Sequence, residues 1–222
     1  MKVGDKVKKK KLLPKVFMWL FIGLLITFIS GFFVSENPKL FSIIYDQNMH
    51  WIFVVAEVVI ALVLTFKIES LKKKTALVLY IGYALLTGLT ISFVFTAYKI
   101  SSIIIIFLIT SILFAIFALI GKITKIDLSK IGIYLFMGFI SIIILELINI
   151  FLLNNTLNII TCIIGIIIFL IYIAYDIQRM LYYYILDDVD ESSYPILFAF
   201  NLYIDFLNVF LDLLRLLGDS SD

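Results

Sequence analysis

The chain has 222 residues, 63% of them hydrophobic, and a mean hydropathy of +1.14. A soluble globular domain is typically about 45–50% apolar, so this composition excludes a soluble protein and indicates an integral membrane protein with one membrane domain. The single cysteine, Cys162, excludes an intramolecular disulfide, and the net charge of +2 identifies no partner.

The chain starts with a basic segment, residues 1–15, which carries seven lysines. A basic segment beside a first span is typical of a cytoplasmic tail that sets orientation. Because no recognition motif is interleaved with the lysines, we expect no nucleic-acid partner. The lipid bilayer is the expected partner, and the sequence does not identify which proteins it binds.

Seven apolar runs are long enough to cross a bilayer, which takes about 20 residues. They cover residues 16–34, 51–68, 75–97, 101–121, 131–153, 157–175 and 195–218. The predicted fold class is therefore an all-α integral membrane protein with seven transmembrane helices. The predicted membrane domain is 16–218, followed by a short tail at 219–222, and residues 35–50 are predicted to be a polar loop.

Polar residues inside these runs are candidates for function, because a charge within the membrane is costly. Glu57 lies some six residues inside the second span. On the third span Tyr80, Tyr83, Thr87 and Thr90 repeat at helical spacing, which favours close helix packing over a pore lining.

The end of the sixth span reads YIAYDIQRM and places Asp176 at the inner boundary, with Arg179 three residues later. A solvated ion pair at a helix end is one interpretation of this spacing. The loop that follows is acidic, and two interpretations stay open: a solvated loop, or a group of acids that concentrates cations at a pore mouth. Its acids are Asp187, Asp188, Asp190 and Glu191.

The last apolar run carries a polar stripe, defined by Asn201, Asp205, Asn208, Asp212 and Arg215. Their spacing of 4, 3, 4 and 3 places all five within about 80° of one helix face. A carboxylate at the middle of a bilayer costs roughly 2.5–3.5 kcal/mol on insertion scales. We therefore predict that this helix sits inside the bundle, with the stripe against other helices or water.

The distribution of Lys and Arg predicts the orientation. If the N-terminus is inside and the spans alternate, 15 of the 18 Lys and Arg fall on the inner side. With seven complete spans the C-terminus is outside, whereas a re-entrant last segment would return it to the inside. The sequence leaves both alternatives open.

Three stretches resemble the Bax inhibitor-1 family of transmembrane proteins: ALLTGLTIS at 84–92, YIAYDIQRM at 172–180 and NLYIDFLNVFLDLLRLLG at 201–218. The C-terminal stretch is the most specific. The resemblance implies a bacterial-type member in which six helices surround a central polar seventh. It also implies an activity, a pH-sensitive leak of calcium down its gradient.

The resemblance assigns roles to individual residues. Asp176 and Asp205 correspond to a hydrogen-bonded aspartate pair that acts as pH sensor, gate and calcium-binding group. Glu57 corresponds to an acid lining the ion route, to which the stripe adds Asn201, Asn208 and Asp212. The family's latch arginine has no match, and the candidate latch cations here are Lys67, displaced by one position, and Arg179. Lysine lacks the bidentate fork of arginine, so the latch is the weakest part of the match.

Two carboxyls in a dry site cannot both be ionised without strong repulsion, so the pair takes up and releases one proton as a unit. Loss of that proton breaks their hydrogen bond, and the sixth and seventh helices should then shift. Calcium prefers oxygen ligands and would compete with protons for the same carboxylates. No filter of backbone carbonyls is present, which predicts a slow leak.

Two other functions use the same acids. A proton-coupled secondary transporter of another solute would need an alternating-access cycle, and the chain shows no clear inverted repeat. An intramembrane aspartyl protease pairs a YD motif with GxGD, but Leu202-Tyr203-Ile204-Asp205 lacks the glycine. A non-transporting scaffold would not need Asp205.

We therefore expect no enzyme activity and no cofactor, with Ca²⁺ only as the permeant or bound ion and H⁺ as its competitor. No P-loop, CxxC motif or histidine cluster is present in the sequence. The heavy use of Ile and Lys suits a bacterium of low GC content. The predicted location is the bacterial cytoplasmic membrane, crossed several times, with the N-terminus in the cytoplasm.

Overall fold

The computed structural model describes residues 3–47, 49–186 and 193–221, and this part of the chain is almost entirely helical. The α-helices are α1 (Val3–Ser35), α2 (Pro38–Tyr45), α3 (Met49–Lys67), α4 (Lys73–Thr90), α5 (Val94–Ala97), α6 (Ile100–Ile123), α7 (Gly132–Leu152), α8 (Asn155–Leu186) and α9 (Tyr194–Leu217). Short 3₁₀ turns cover Ile68–Ser70 and Leu128–Ile131.

Seven helical segments of the described chain are long and apolar enough to cross a membrane, as predicted. They are Leu12–Ser35, Met49–Lys67, Lys73–Ala97, Ile100–Ile123, Leu128–Leu152, Asn155–Tyr182 and Tyr194–Leu217. In the last segment 78% of the apolar window is buried, against 6% in the second. The predicted burial of the helix that carries the polar stripe is therefore confirmed.

Two boundaries differ from the prediction. Within the predicted loop at 35–50, α2 forms because the side chain of Asn37 accepts a hydrogen bond from the amide of Leu40, and Pro38 occupies the first turn, where its missing N–H costs nothing. The helix predicted to end near residue 175 continues to Leu186, so Asp176 lies within α8 and not at its end. The acids predicted in the loop at 187–191 lie outside the described residues.

The chain divides into two compact units. The first comprises Met1–Lys99, Tyr184–Tyr203 and Ser220–Asp222, and the second comprises Ile100–Tyr183 and Ile204–Asp219. In the first unit α4 packs against both α1 and α3. The single membrane domain at 16–218 stays a prediction, as do the tails that flank it.

Within the first unit, the segments that flank α9 form hydrogen bonds to the connection before α4 and to the connection after α5. Before its first turn, the hydroxyl of Ser193 donates to the carbonyl of Leu71 at 2.7 Å. After its last turn, the amide of Ser221 donates to the carbonyl of Ala97 at 3.0 Å, and Tyr98 pairs with Ser220 in an isolated bridge. Because α4 and α5 run from Lys73 to Ala97 between these connections, α9 is a complete span and not a re-entrant segment.

The third span is interrupted at residues 91–93, between α4 and α5. Tyr45, the last residue of α2, covers the break: its hydroxyl donates to the carbonyl of Thr90 at 2.7 Å and accepts from the amide of Phe93 at 3.3 Å. Burial in this position raises the pKa of the Tyr45 hydroxyl. A broken helix at membrane depth is tolerated where such partners satisfy the freed backbone groups.

In the second unit a two-residue turn joins α7 to α8. Leu153 ends α7 in the left-handed region, with φ 48° and ψ 39°. The side chain of Asn154 then accepts a hydrogen bond from the backbone amide of Leu157 at 3.0 Å and caps α8. The backbone amide of Asn154 donates to Asn149 Oδ1 at 2.9 Å.

Candidate functional site

The polar stripe of α9 is largely buried. Asp205 and Asp212 keep 5% and 6% of their surface exposed, and Asn201 and Asn208 are half-buried. The amide of Asn208 donates back to the carbonyl of Ile204 at 2.8 Å, one turn earlier on α9. The division between the units falls within α9, so Asn201 belongs to the first unit and the other four stripe residues to the second.

The second unit brings together the two aspartates predicted to act as a pair. Asp176 on α8 is 6% exposed and lies within electrostatic range of Asp205. Tyr172, one turn before Asp176, is within range of both. The hydrogen bond expected between the two carboxyls stays a prediction.

One oxygen of Asp205 is the chemically notable atom of this pair. Oδ2 is buried and has no hydrogen-bond partner among the described residues. A buried acceptor left unsatisfied costs roughly 1–3 kcal/mol. Such an oxygen is therefore available to a proton, a water molecule or a cation, which is what the expected sensor requires.

The same carboxylates were predicted to hold calcium. Within residues 3–47, 49–186 and 193–221, no group of three or more His, Cys, Asp or Glu side chains is arranged to hold a metal ion. Calcium accepts carboxylates together with water, and calcium binding at Asp176 and Asp205 stays a prediction. The two aspartates do not make a closed protein cage.

Glu57 is held by two hydroxyl groups in the first unit. Thr90 donates to its Oε1 at 2.8 Å and Thr87 donates to its Oε2 at 3.2 Å. Both threonines lie on α4, so the polar face predicted on the third span meets the acid of α3. These donors stabilise a carboxylate inside an apolar segment without neutralising it.

A second buried network in the first unit holds the beginning of α9 and has no counterpart in the sequence-based prediction. Thr27 on α1 donates to the carbonyl of Ala84 at 2.9 Å, and its hydroxyl lies 2.6 Å from that of Tyr203. Since the single hydroxyl hydrogen of Thr27 is directed at Ala84, Tyr203 is the donor to Thr27. Nearby, Tyr80 donates to the carbonyl of Trp19 at 2.8 Å.

Near the C-terminal end of α9, the second unit contains an ionic cluster, which we define as Glu146, Cys162, Asp212 and Arg215. Arg215 Nη1 donates to Glu146 Oε1 at 2.8 Å and lies 3.5 Å from Asp212 Oδ1. Cys162 on α8 interacts with both Asp212 and Arg215. The sequence placed Asp212 on the ion route but did not predict that Arg215 and Glu146 meet.

The two candidate latch cations lie at exposed positions. Lys67 ends α3 and is exposed. Arg179 is exposed on α8, one turn beyond Asp176. A latch role for either residue stays a prediction.

Comparison with known proteins gives matches along nearly the whole chain. A family model described as "Inhibitor of apoptosis-promoting Bax1" matches residues 9–222. An uncharacterised protein of Borreliella burgdorferi is 35% identical over 214 residues, covering 95% of this chain and 92% of the relative. The inner membrane protein YbhL of Escherichia coli K12 is 32% identical over 212 residues, with 93% and 91% covered. A membrane protein of Streptococcus pyogenes serotype M1 is 30% identical over 186 residues, with 82% and 80% covered.

Proposed function

Because this chain belongs to the Bax inhibitor-1 family of membrane proteins, we propose that it is a pH-sensitive leak through which calcium crosses the membrane. The observation that carries the proposal is the buried Asp205 of α9, which has an unpartnered Oδ2 and lies within electrostatic range of buried Asp176. A site with two interacting acids and a vacant acceptor suits an exchange between protons and a divalent cation.

In this proposal Asp176 and Asp205 share one proton in the closed state. Loss of the proton leaves two like charges in a poorly solvated site, and the repulsion drives α8 and α9 to shift. Calcium neutralises both carboxylates and therefore competes with the proton. A midpoint near neutrality would make the pair responsive to cellular pH.

The remaining predicted pathway residues supply oxygen atoms along the proposed route. They are Glu57, Asn201, Asn208 and Asp212. The threonine hydroxyls on Glu57 support a role as a fixed anionic oxygen in the first unit. Single oxygens of this kind suit a slow leak better than a highly selective filter.

We propose the bacterial cytoplasmic membrane as the location, with the N-terminus in the cytoplasm. The support is the charge bias, since 15 of 18 Lys and Arg then lie inside. The complete α9 span then leaves the C-terminus outside. YbhL, the relative from Escherichia coli, carries the description of an inner membrane protein.

The testing experiment is calcium entry into proteoliposomes that contain the purified protein, measured from about pH 6 to 8. Wild type should show a flux that changes with pH. Asp205→Asn and Asp176→Asn keep side-chain size but remove the shared proton, so both should lose most of the pH dependence. Unchanged flux–pH curves in both variants would contradict the mechanism.

Asp127→Asn is the matched control for loss of one carboxylate. Asp127 is fully exposed outside the spans, and hydrogen bonds from Ser129 hold the pKa of its carboxyl below the usual range. A carboxyl with a lowered pKa stays ionised throughout this pH interval, so its removal should leave the shape of the flux–pH curve unchanged.

A proton-coupled transporter of another solute is the alternative outcome of the same assay. It would show no calcium flux in folded protein, but saturable uptake of a solute driven by a pH gradient. We propose no catalytic role for the aspartates, because Leu202 and Ile204 occupy the two positions before Asp205 at which the protease motif GxGD has glycine.

A further inference from the structure

The ionic cluster contains the one cation of the polar stripe, and that cation lies between two acids. Arg215 Nη1 is 2.8 Å from Glu146 on α7 and 3.5 Å from Asp212 on its own helix. The side chains of Arg215 and Glu146 are 39% and 43% exposed, whereas that of Asp212 is only 9% exposed. Arg215 and Glu146 therefore form the exposed side of the cluster, and Asp212 forms its buried side.

The buried side of the cluster is closely packed. A Cβ atom added to Gly165 of α8 would lie 2.3 Å from Asp212 Oδ2, so the carboxylate rests directly on the backbone of α8. Cys162, one turn before Gly165, is 1% exposed and interacts with both Asp212 and Arg215.

The charge of Arg215 opposes the ion that the proposed route carries. A guanidinium beside Asp212 neutralises that carboxylate, and it repels a second cation at the same place. A cation can use the Asp212 oxygens only when Arg215 leaves them. Glu146 offers Arg215 a second partner away from Asp212, and the shorter of the two distances already joins Arg215 to Glu146.

We propose that Arg215 is the charge-selecting residue at the α9 C-terminal end of the route, where it admits cations only when it leaves Asp212 and keeps its ion pair with Glu146. The proposal deepens the proposed function and rests on it for the identity of the ion. It assigns Glu146 the role of positioning Arg215.

Cys162 provides a native reporter, since it is the only cysteine of the chain. We would measure its modification in the full-length protein by two water-soluble methanethiosulfonates of similar size. One carries a quaternary ammonium and the other a sulfonate. In both reactions the thiolate attacks the reagent sulfur, a mixed disulfide forms and methanesulfinate leaves, so the reagents differ chiefly in charge.

The expected result is a change in the ratio of cationic to anionic modification rates. Arg215→Gln should raise the ratio about tenfold, because local charge changes association rates by ten-fold or more. Glu146→Gln leaves the arginine with less neutralisation and should lower the ratio. Opposite shifts in the two variants are the signature of charge selection.

Several outcomes would overturn the inference. Equal increases for both reagents would mean that the substitutions only loosen packing, and an unchanged ratio would mean that Arg215 does not control access. Should Arg215→Gln fail to fold with Asp212 unpaired, the double variant Asp212→Asn/Arg215→Gln removes one charge of each sign. The response of its ratio to Glu146→Gln should then be smaller than in wild type, because only the direct effect of the Glu146 charge is left. Cys162→Ala must show no modification, and Asp127→Asn should match wild type.

Calcium flux on the same variants separates this inference from the proposed function. Arg215→Gln should raise calcium entry in proteoliposomes. Absence of flux in wild type together with opposite shifts of the ratio would reject the calcium leak and keep the charge-selecting residue. Calcium flux in wild type together with an unchanged ratio in the variants would support the calcium leak and reject Arg215 as the charge-selecting residue.

Discussion

The hydroxyl of Tyr203 on α9 donates to the hydroxyl of Thr27 on α1 across 2.6 Å, in a buried part of the first unit. The hydroxyl of Thr27 in turn donates to the carbonyl of Ala84 on α4 at 2.9 Å. A single chain of two hydrogen bonds therefore joins three helices. These hydrogen bonds hold α9 at Tyr203, in the first half of the helix and two residues before Asp205.

Tyr203→Phe should lower stability modestly, by about 1 kcal/mol, because one hydrogen bond is lost and Thr27 keeps its bond to Ala84. Thr27→Val should cost more, because it removes both the acceptor of the Tyr203 hydroxyl and the side-chain donor to the Ala84 carbonyl. Thermal unfolding in detergent measures both effects. Equal losses of stability in the two variants would contradict the two linked hydrogen bonds described above. The double variant Thr27→Val/Tyr203→Phe measures the coupling energy between Thr27 and Tyr203.

Gly165→Ala should destabilise the protein, because its methyl group would lie 2.3 Å from Asp212 Oδ2. Asp212→Ala should reduce the penalty of Gly165→Ala in the double variant, since the carboxylate that clashes is gone. The measurement is the unfolding midpoint of the four proteins of this cycle.

Gly82→Ala is the control for this cycle. No atom lies within 4 Å of the added Cβ, and α4 gains helix propensity of about 1 kcal/mol. It should leave stability unchanged or raise it. A loss like that of Gly165→Ala would show that the clash with Asp212 is not the cause.

Thr90→Val should alter calcium flux more than Thr87→Val, because Thr90 makes the shorter hydrogen bond to Glu57. Either substitution removes a donor that stabilises the carboxylate within the membrane. Initial rates in proteoliposomes at several calcium concentrations give the comparison. Thr110→Val is the matched control, because among the described residues the buried hydroxyl of Thr110 bonds only to the carbonyl of Ile106 on its own helix. Equal flux in all three variants would remove Glu57 from the route.

Leu153→Gly should raise the unfolding midpoint. Leu153 adopts the left-handed conformation at φ 48° and is 82% exposed, so its side chain contributes strain of about 1–2 kcal/mol and little packing. Glycine accepts this conformation without strain, although its greater freedom in the unfolded chain offsets part of the gain.

Leu152→Gly supplies the comparison one residue earlier, where α7 is still helical and glycine should destabilise. A decrease in both variants would contradict the strain at Leu153.

The seven spans, the family and the burial of the helix that carries the stripe could all be predicted from the sequence. Each of these follows from local patterns: long apolar runs, a stripe at helical spacing and three short motifs. The cost of exposing Asp205 and Asp212 to lipid is a property of α9 alone, so it was predictable before any partner helix was known.

Which side chains meet could not be predicted from the sequence and is seen in the folded structure. Arg215 pairs with Glu146 across 69 positions of sequence, and Tyr203 finds Thr27 across 176. The contacts of Ser193 with Leu71 and of Ser221 with Ala97 are likewise tertiary, and they indicate that α9 is a complete span. The physical reason is that lipid is as apolar as the helix surfaces, so hydropathy shows that a helix crosses but not which neighbour its polar face meets.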